Sequence, residues 1–142
     1  MDYTYTMFMD AVDRLAEDID ITFEDYDYIV GVTRGGLIPA VFLSHRLGIP
    51  MISINWSTRD SMIKTLDKTT KYILNGKKVL IVEDIVDSGE TLSQLIKELG
   101  SVCNYHVAAL IYNTSQNIEP KYYDIQIDRT VQKDWINFFW ES

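Results

Sequence analysis

VLIVEDIVDSGETL, residues 79–92, opens with four apolar residues and then sets four carboxylates, Glu83, Asp84, Asp87 and Glu90, within eight positions. A short, unbroken apolar run bounded by turn signals predicts a buried strand over 78–82. From Glu90 the pattern changes: Leu92, Leu95, Ile96 and Leu99 recur at helical spacing and Gly100 closes the run, which predicts a helix over 90–99. A strand, an acidic loop and a helix in that order are one unit of an α/β sheet, and such sheets bind ligands beyond the carboxyl ends of their strands.

Working outward, 28–32 reads as another buried strand, followed by the turn Thr33-Arg34-Gly35-Gly36 and a helix over 37–47, with Pro39 in its first turn and Gly48 as its stop. Residues 51–55 and 106–112 read as strands, and 123–127 as a half-exposed one. An amphipathic helix is expected over 6–18 with Thr6 as its N-cap. Asn75-Gly76 between 71–74 and 78–82 carries the signature of a two-residue hairpin. Residues 57–70, with Arg59, Lys64 and Lys68 but few apolar anchors, read as a long surface loop. The expected fold is therefore α/β, with a mostly parallel central sheet and one hairpin inside it.

The chain has 142 residues, the length of a single domain over 1–142, and a net charge of −8 that disfavours non-specific binding to nucleic acid or anionic membrane. Its one cysteine, Cys103, excludes an internal disulfide and a cysteine-cluster metal site. No apolar run reaches the roughly 18 residues of a membrane span, and no signal-peptide pattern opens the chain, so a cytoplasmic protein is expected. Neither His45 nor His106 has a partner at zinc-ligand spacing.

Two loops at strand ends carry the chemistry. Ser88, Gly89, Glu90 and Thr91 stand where a loop enters a helix, so free backbone N–H groups and two hydroxyls could cradle a phosphate; alternatively Ser88 or Asp87 simply caps the helix. Glu83 and Asp84, just upstream, suit vicinal hydroxyls and a hard cation such as Mg²⁺, although a solvated acidic turn would look the same. Asp87 is free to handle protons. Arg34 and Gly35 form a second anion loop with a guanidinium suited to phosphate. Neither loop is a Walker or dinucleotide-binding fingerprint. Two anion sites flanking a diol-and-metal pair describe a sugar with phosphate at both ends, 5-phosphoribosyl-1-pyrophosphate (PRPP).

Residues 79–92 closely resemble the PRPP-binding signature of type I phosphoribosyltransferases: an apolar strand, two acids, two apolar residues, then Asp-Ser-Gly-x-Thr. VGVTRGGLIPA, 30–40, resembles the pyrophosphate loop of the hypoxanthine and xanthine-guanine branch, and DWINFFWE, 134–141, the C-terminal segment of the xanthine-guanine members. The resemblance implies a three-layer α/β/α fold with a small hood built largely from the C-terminal segment. It implies transfer of phosphoribosyl from PRPP to a purine-like base with Mg²⁺, in a homo-oligomer. Glu83 and Asp84 would hold the ribose hydroxyls and metal, and Asp87 would move the base's proton. Ser88, Gly89, Glu90 and Thr91 would bind the 5′-phosphate, and Arg34 and Gly35 the pyrophosphate, at a loop where the family often has a strained peptide. Trp135 would stack on the base, Ile136 would offer it backbone groups, and Trp140 would pack. Residues 57–70 match the family's loop that closes over the transition state, with Lys64 or Lys68 near pyrophosphate.

Three positions depart from the pattern. Asn113 falls where purine-salvage relatives carry a lysine that reads the purine's 6-oxygen; an amide there can donate to an oxo group or accept from an amino group, so the base stays open. Phe139 replaces a usual proline, and Trp56-Ser57-Thr58 stands in place of a Ser-Tyr pair. A PRPP- or nucleotide-sensing regulator on the same fold, and an enzyme for a non-purine base, remain as alternatives.

Overall fold

The structure, a computed structural model, describes residues 1–56, 65–116 and 118–141. Its elements run β1 (Asp2–Tyr3), α1 (Tyr5–Asp20), β2 (Tyr28–Thr33), α2 (Leu37–Leu47), β3 (Met51–Asn55), α3 (Lys68–Leu74), β4 (Lys78–Val86), α4 (Glu90–Leu99), β5 (Asn104–Asn113), β6 (Tyr122–Ile127) and β7 (Asn137–Phe138), with a final 3₁₀ turn, Phe139–Glu141. Five strands form one sheet in the order β3-β2-β4-β5-β6, and every neighbouring pair is parallel.

Side chains alternate along each strand, and both faces of the sheet are covered. Leu80 and Val82 of β4 join a core with Phe8 and Leu15 of α1 and Leu43 of α2. Val79 and Ile81 face the other way, into a core with Leu74 of α3 and Leu95 and Leu99 of α4. This is the expected three-layer α/β/α arrangement. Cys103 is buried, its thiol donating to the Leu99 carbonyl at 3.5 Å. Among the described residues no helix is long and apolar enough to cross a membrane.

Three expectations need correction. The first helix is capped two residues earlier than expected, because the Thr4 hydroxyl, not that of Thr6, accepts from the Met7 amide at 3.2 Å. The hairpin around Asn75-Gly76 does not form. Residues 68–74 are helical, capped by Asp67, whose Oδ1 accepts from the Thr70 amide at 2.7 Å, and Leu74 is fully buried on the inner face. Asn75 and Gly76 only turn the chain from α3 into β4, so the sheet is parallel throughout. The expected loop over 57–70 therefore ends in a helix that includes Lys68; Arg59 and Lys64 lie outside the described residues.

The hood also draws on both ends of the chain. β1 pairs parallel with β7, Asp2 against Asn137 and Tyr3 against Phe138. The Met1 amino group donates to the Trp135 carbonyl at 2.8 Å, and the Asn137 amide to the Met1 carbonyl at 2.8 Å. Phe138 and Trp140 stack with centroids 4.7 Å apart, and Trp140 meets Phe8 edge-on at 5.4 Å, which fastens the hood to α1.

Candidate active site

From β2 the sheet grows one way to β3, and from β4 the other way to β5 and β6, so the strand order reverses between β2 and β4. Loops diverge at such a point and leave a crevice beyond the strand ends. A cleft of about 980 Å³ occupies it, bounded by the loops after β2, β4 and β6 and by the hood.

β4 runs four residues further than the apolar run suggests, because it keeps its register with β5: Glu83 opposes Ala109, and Val86 opposes Tyr112. Glu83 and Asp84 are thus held inside a strand rather than on a loose turn, and both line the cleft. Burial pushes the Glu83 carboxyl well above its usual range, with the Asp84 charge adding to the effect. Burial likewise raises Asp84 to about 6, opposed by the Ile85 amide, which donates to Oδ1 at 2.7 Å, and helped by the charge of Glu141. Asp84 lies against Gly35: a Cβ at that glycine would sit 2.1 Å from Asp84 Oδ2. The glycine is needed for that approach, and it brings the two predicted loops into contact. The Thr33–Arg34 peptide is cis, and Arg34 is exposed on the cleft rim.

Past β4, Gly89 adopts a left-handed conformation (φ +76°) as the N-cap of α4 and provides no side-chain cap. Ser88 Oγ accepts from the Glu90 amide at 3.3 Å, so the capping alternative is partly realised at the positive end of α4. Ser88, Gly89 and Thr91 line the cleft; Glu90 does not, and its carboxylate is exposed.

Asp87 sits in a network absent from the sequence reading. Arg129, just after β6, donates through Nε to Asp87 Oδ1 at 3.3 Å and through Nη2 to Oδ2 at 3.4 Å. Asn113 Nδ2 donates to Asp87 Oδ1 at 3.1 Å and to its carbonyl at 3.4 Å. The Asn113 Oδ1 accepts from the Ser115 amide (3.2 Å), the Ser115 hydroxyl (2.7 Å) and the Arg129 amide (3.2 Å). Asn113 is 1% exposed, does not line the cleft, and has its amide committed on both sides. In this structure Asn113, expected as a base contact, instead ties together the ends of β4, β5 and β6. Trp135 and Ile136 do line the cleft, Trp135 with 73% of its surface exposed and Ile136 buried. The signal that could have revealed Arg129 was positional, a basic residue just beyond the carboxyl end of a parallel strand.

A parallel sheet whose crevice, at the reversal of strand order, gathers a glycine-arginine loop, two half-buried acids and a helix start has the form in which α/β proteins bind ligands. The chain belongs to the phosphoribosyltransferase domain family, whose model matches residues 4–142. It is 34% identical over 121 residues to a xanthine-guanine phosphoribosyltransferase of Cereibacter sphaeroides, covering 80% of this chain and 68% of that protein. It is 30% identical over 107 residues to an orotate phosphoribosyltransferase of Sulfurisphaera tokodaii, and spans only 52% of that relative's length. Among solved structures, a purine phosphoribosyltransferase from Pyrococcus horikoshii superposes with a TM-score of 0.80 at 32% identity, covering 100% of this chain and 94% of that one. A Neisseria gonorrhoeae protein solved with bound ppGpp superposes with a TM-score of 0.76 at 26% identity, covering 99% of this chain and 88% of that one.

Proposed function

We propose that this protein transfers the phosphoribosyl group of PRPP to a purine-like nucleobase and releases pyrophosphate. The observation that carries the reading is the one cleft in which two anion loops flank Glu83 and Asp84, on a chain of the phosphoribosyltransferase family. The backbone amides of Ser88, Gly89, Glu90 and Thr91 hold the 5′-phosphate, and Arg34 and Gly35 the pyrophosphate. The ribose hydroxyls lie at Glu83 and Asp84, the base on Trp135, and its edge against the backbone of Ile136.

In the transfer, a base nitrogen forms a bond to C1′ as the C1′–oxygen bond to pyrophosphate breaks. Pyrophosphate leaves with the bonding pair, and the proton carried by the base's imidazole ring passes to a carboxylate oxygen of Asp87. Alignment of donor and acceptor in one cleft supplies the main rate advantage, and Arg34 stabilises the charge that gathers on the leaving group. Glu83 and Asp84 fit a hard divalent cation: both bring carboxylate oxygens to the cleft, among the described residues neither makes a salt bridge, and a cation would offset the charge that burial disfavours. Held there, Mg²⁺ would supply positive charge beside the ribose hydroxyls and the leaving group. A cytoplasmic location and a homo-oligomer belong to the same reading, the latter tested by sedimentation velocity.

The test is pyrophosphate release with PRPP and Mg²⁺ over a panel of hypoxanthine, guanine, xanthine, adenine, uracil and orotate. Release should depend on a purine and fall roughly 10²–10⁴-fold in Asp87→Ala, the range for losing a general acid–base group. PRPP binding without release on any base would refute it. A second reading, a cleft that takes a hyperphosphorylated guanine nucleotide as a regulator, is favoured by the ppGpp-bound Neisseria structure. Calorimetric titration of ppGpp against PRPP-saturated protein tests that competition.

A further inference from the structure

The loop that enters α4 turns on Gly89, whose φ of +76° lies in the left-handed region. A glycine is free to leave that conformation, because it has no Cβ to restrict it. As the N-cap of α4 it also brings no side chain to fix the helix start. Its carbonyl is tied down, accepting from the Ser93 amide at 2.8 Å. The loop on its other side, 87–89, has to be held from elsewhere in the fold.

The connection between β5 and β6 meets that loop at both ends. Asn113 Nδ2 donates to the Asp87 carbonyl at 3.4 Å and to its Oδ1 at 3.1 Å. Five residues on, the Ile118 side chain fills the place that a side chain at residue 89 would take. Its Cδ1 lies 3.2 Å, its Cγ1 3.6 Å and its Cβ 3.8 Å from where that Cβ would stand. Ile118 is itself fixed from both directions. Before it, the Thr114 amide donates to the Ile127 carbonyl at 2.8 Å, and the Gln116 amide to the Asn113 carbonyl at 3.3 Å. After it, Pro120 is buried with its φ restricted, and Lys121 Nζ donates to Glu24 Oε1 at 3.1 Å.

We propose that Ile118 is a positioning residue for the 5′-phosphate: it wedges Gly89 in its left-handed conformation, so that the loop is set before the ligand arrives. This rests on the phosphoribosyltransfer reading. Without the wedge, binding would have to order the backbone of at least this one glycine, which weakens affinity roughly five- to thirtyfold. The fold depends less on the contact. The other side of Ile118 lines an open groove of about 520 Å³ with Ile96 and Tyr105, so truncation leaves a space open to water rather than a sealed void.

The experiment measures by calorimetry the affinities of wild type, Ile118→Val and Ile118→Ala for PRPP and for pyrophosphate, both with Mg²⁺, alongside kcat and the KM values for PRPP and hypoxanthine. Pyrophosphate is the control because it carries no 5′-phosphate. Ile118→Ala should weaken PRPP roughly five- to thirtyfold and raise its KM to match. Pyrophosphate affinity, kcat and the KM for hypoxanthine should stay within about twofold of wild type. Ile118→Val, which loses only Cδ1, should fall between the two. Unchanged PRPP affinity in Ile118→Ala overturns the proposal. So does an equal loss for PRPP and pyrophosphate, the mark of a general disturbance. If Ile118→Ala does not fold, Ile118→Val decides, and PRPP binding as tight as wild type then overturns it. Failure of the underlying function reads differently: wild type then binds PRPP but releases no pyrophosphate with any base, and the calorimetric comparison still tests Ile118. A wild type that binds no PRPP overturns both.

Discussion

Replacing Asp84 by asparagine should make the ligand-free protein more stable while removing its response to substrate. Burial holds the Asp84 carboxyl at about 6 against an ordinary value of 3.8, so ionising it within the fold is unfavourable. A shift of about two units, at 1.36 kcal/mol each, sets that cost at about 3 kcal/mol above pH 6. Asparagine keeps the oxygen that accepts from the Ile85 amide and never ionises. The sign follows from proton binding. Between about pH 4 and pH 6 the folded protein retains a proton that the unfolded chain has released. The contribution of Asp84 to stability therefore declines as pH rises through that window. The variant's advantage should be near zero at pH 4, grow through pH 5, and level off above pH 6 at up to about 3 kcal/mol. For a domain of this size that is a rise in Tm of roughly 6–12 °C. Thermal melts followed by circular dichroism in EDTA, from pH 4 to pH 8, measure it. Adding PRPP with Mg²⁺ at pH 8 should then raise Tm for wild type but not for Asp84→Asn. An advantage independent of pH, or absent at pH 8, would refute the claim that the buried charge opposes folding.

Gly35→Ala forces a methyl into the space of the Asp84 carboxylate, with Cγ 2.4 Å away, and should cost about 1–3 kcal/mol in urea unfolding. The same change made in an Asp84→Ala background should cost close to nothing, and a persistent cost would show that the clash lies elsewhere. Trp135→Ala should leave the urea midpoint almost unchanged, since the ring is 73% exposed, yet raise the KM for the base roughly tenfold if the ring is the stacking platform. Asn113→Ala strands the Ser115 and Arg129 groups that its amide satisfies and should lower stability by about 1–3 kcal/mol, read as a shifted urea midpoint.

Legibility in the sequence follows the range of the forces involved. Where glycine punctuates a strong apolar period, element ends can be read to the residue: α2 ends at Leu47 before Gly48 (φ +66°), and α4 runs from Glu90 to Leu99 before Gly100. Residues 71–74 read as a hairpin strand because three consecutive apolar residues, Tyr72, Ile73 and Leu74, fit a strand or a helical turn equally. Their state is decided by the cap at Asp67 and by the burial of Leu66 and Leu74 against the sheet. The extension of β4 to Val86 depends on a ladder to β5 that no local pattern encodes. The hood rests on two two-residue strands from opposite ends of the chain, each too short to have a pattern of its own.

The same division separates the two ends of the cleft. The residues proposed to bind the donor are local: Glu83, Asp84 and 88–91 come from one strand, one loop and one helix start, and a contiguous motif can specify them. Arg34 and Gly35 add a second short motif. The acceptor end is assembled from Asp87, Asn113, Arg129 and Trp135, on four segments that meet only when β4, β5, β6 and the hood are in place. Relatives named for different bases can therefore match this chain comparably, because a shared donor motif is compatible with either acceptor end. Asn113 and Arg129 show how closely these segments are joined: the amide of one is bonded into the fold, and the guanidinium of the other reaches Asp87 from the end of β6. On the proposed function, base choice would follow from the segments after β4, β5 and β6 together with the hood, rather than from the contiguous motif of 79–92.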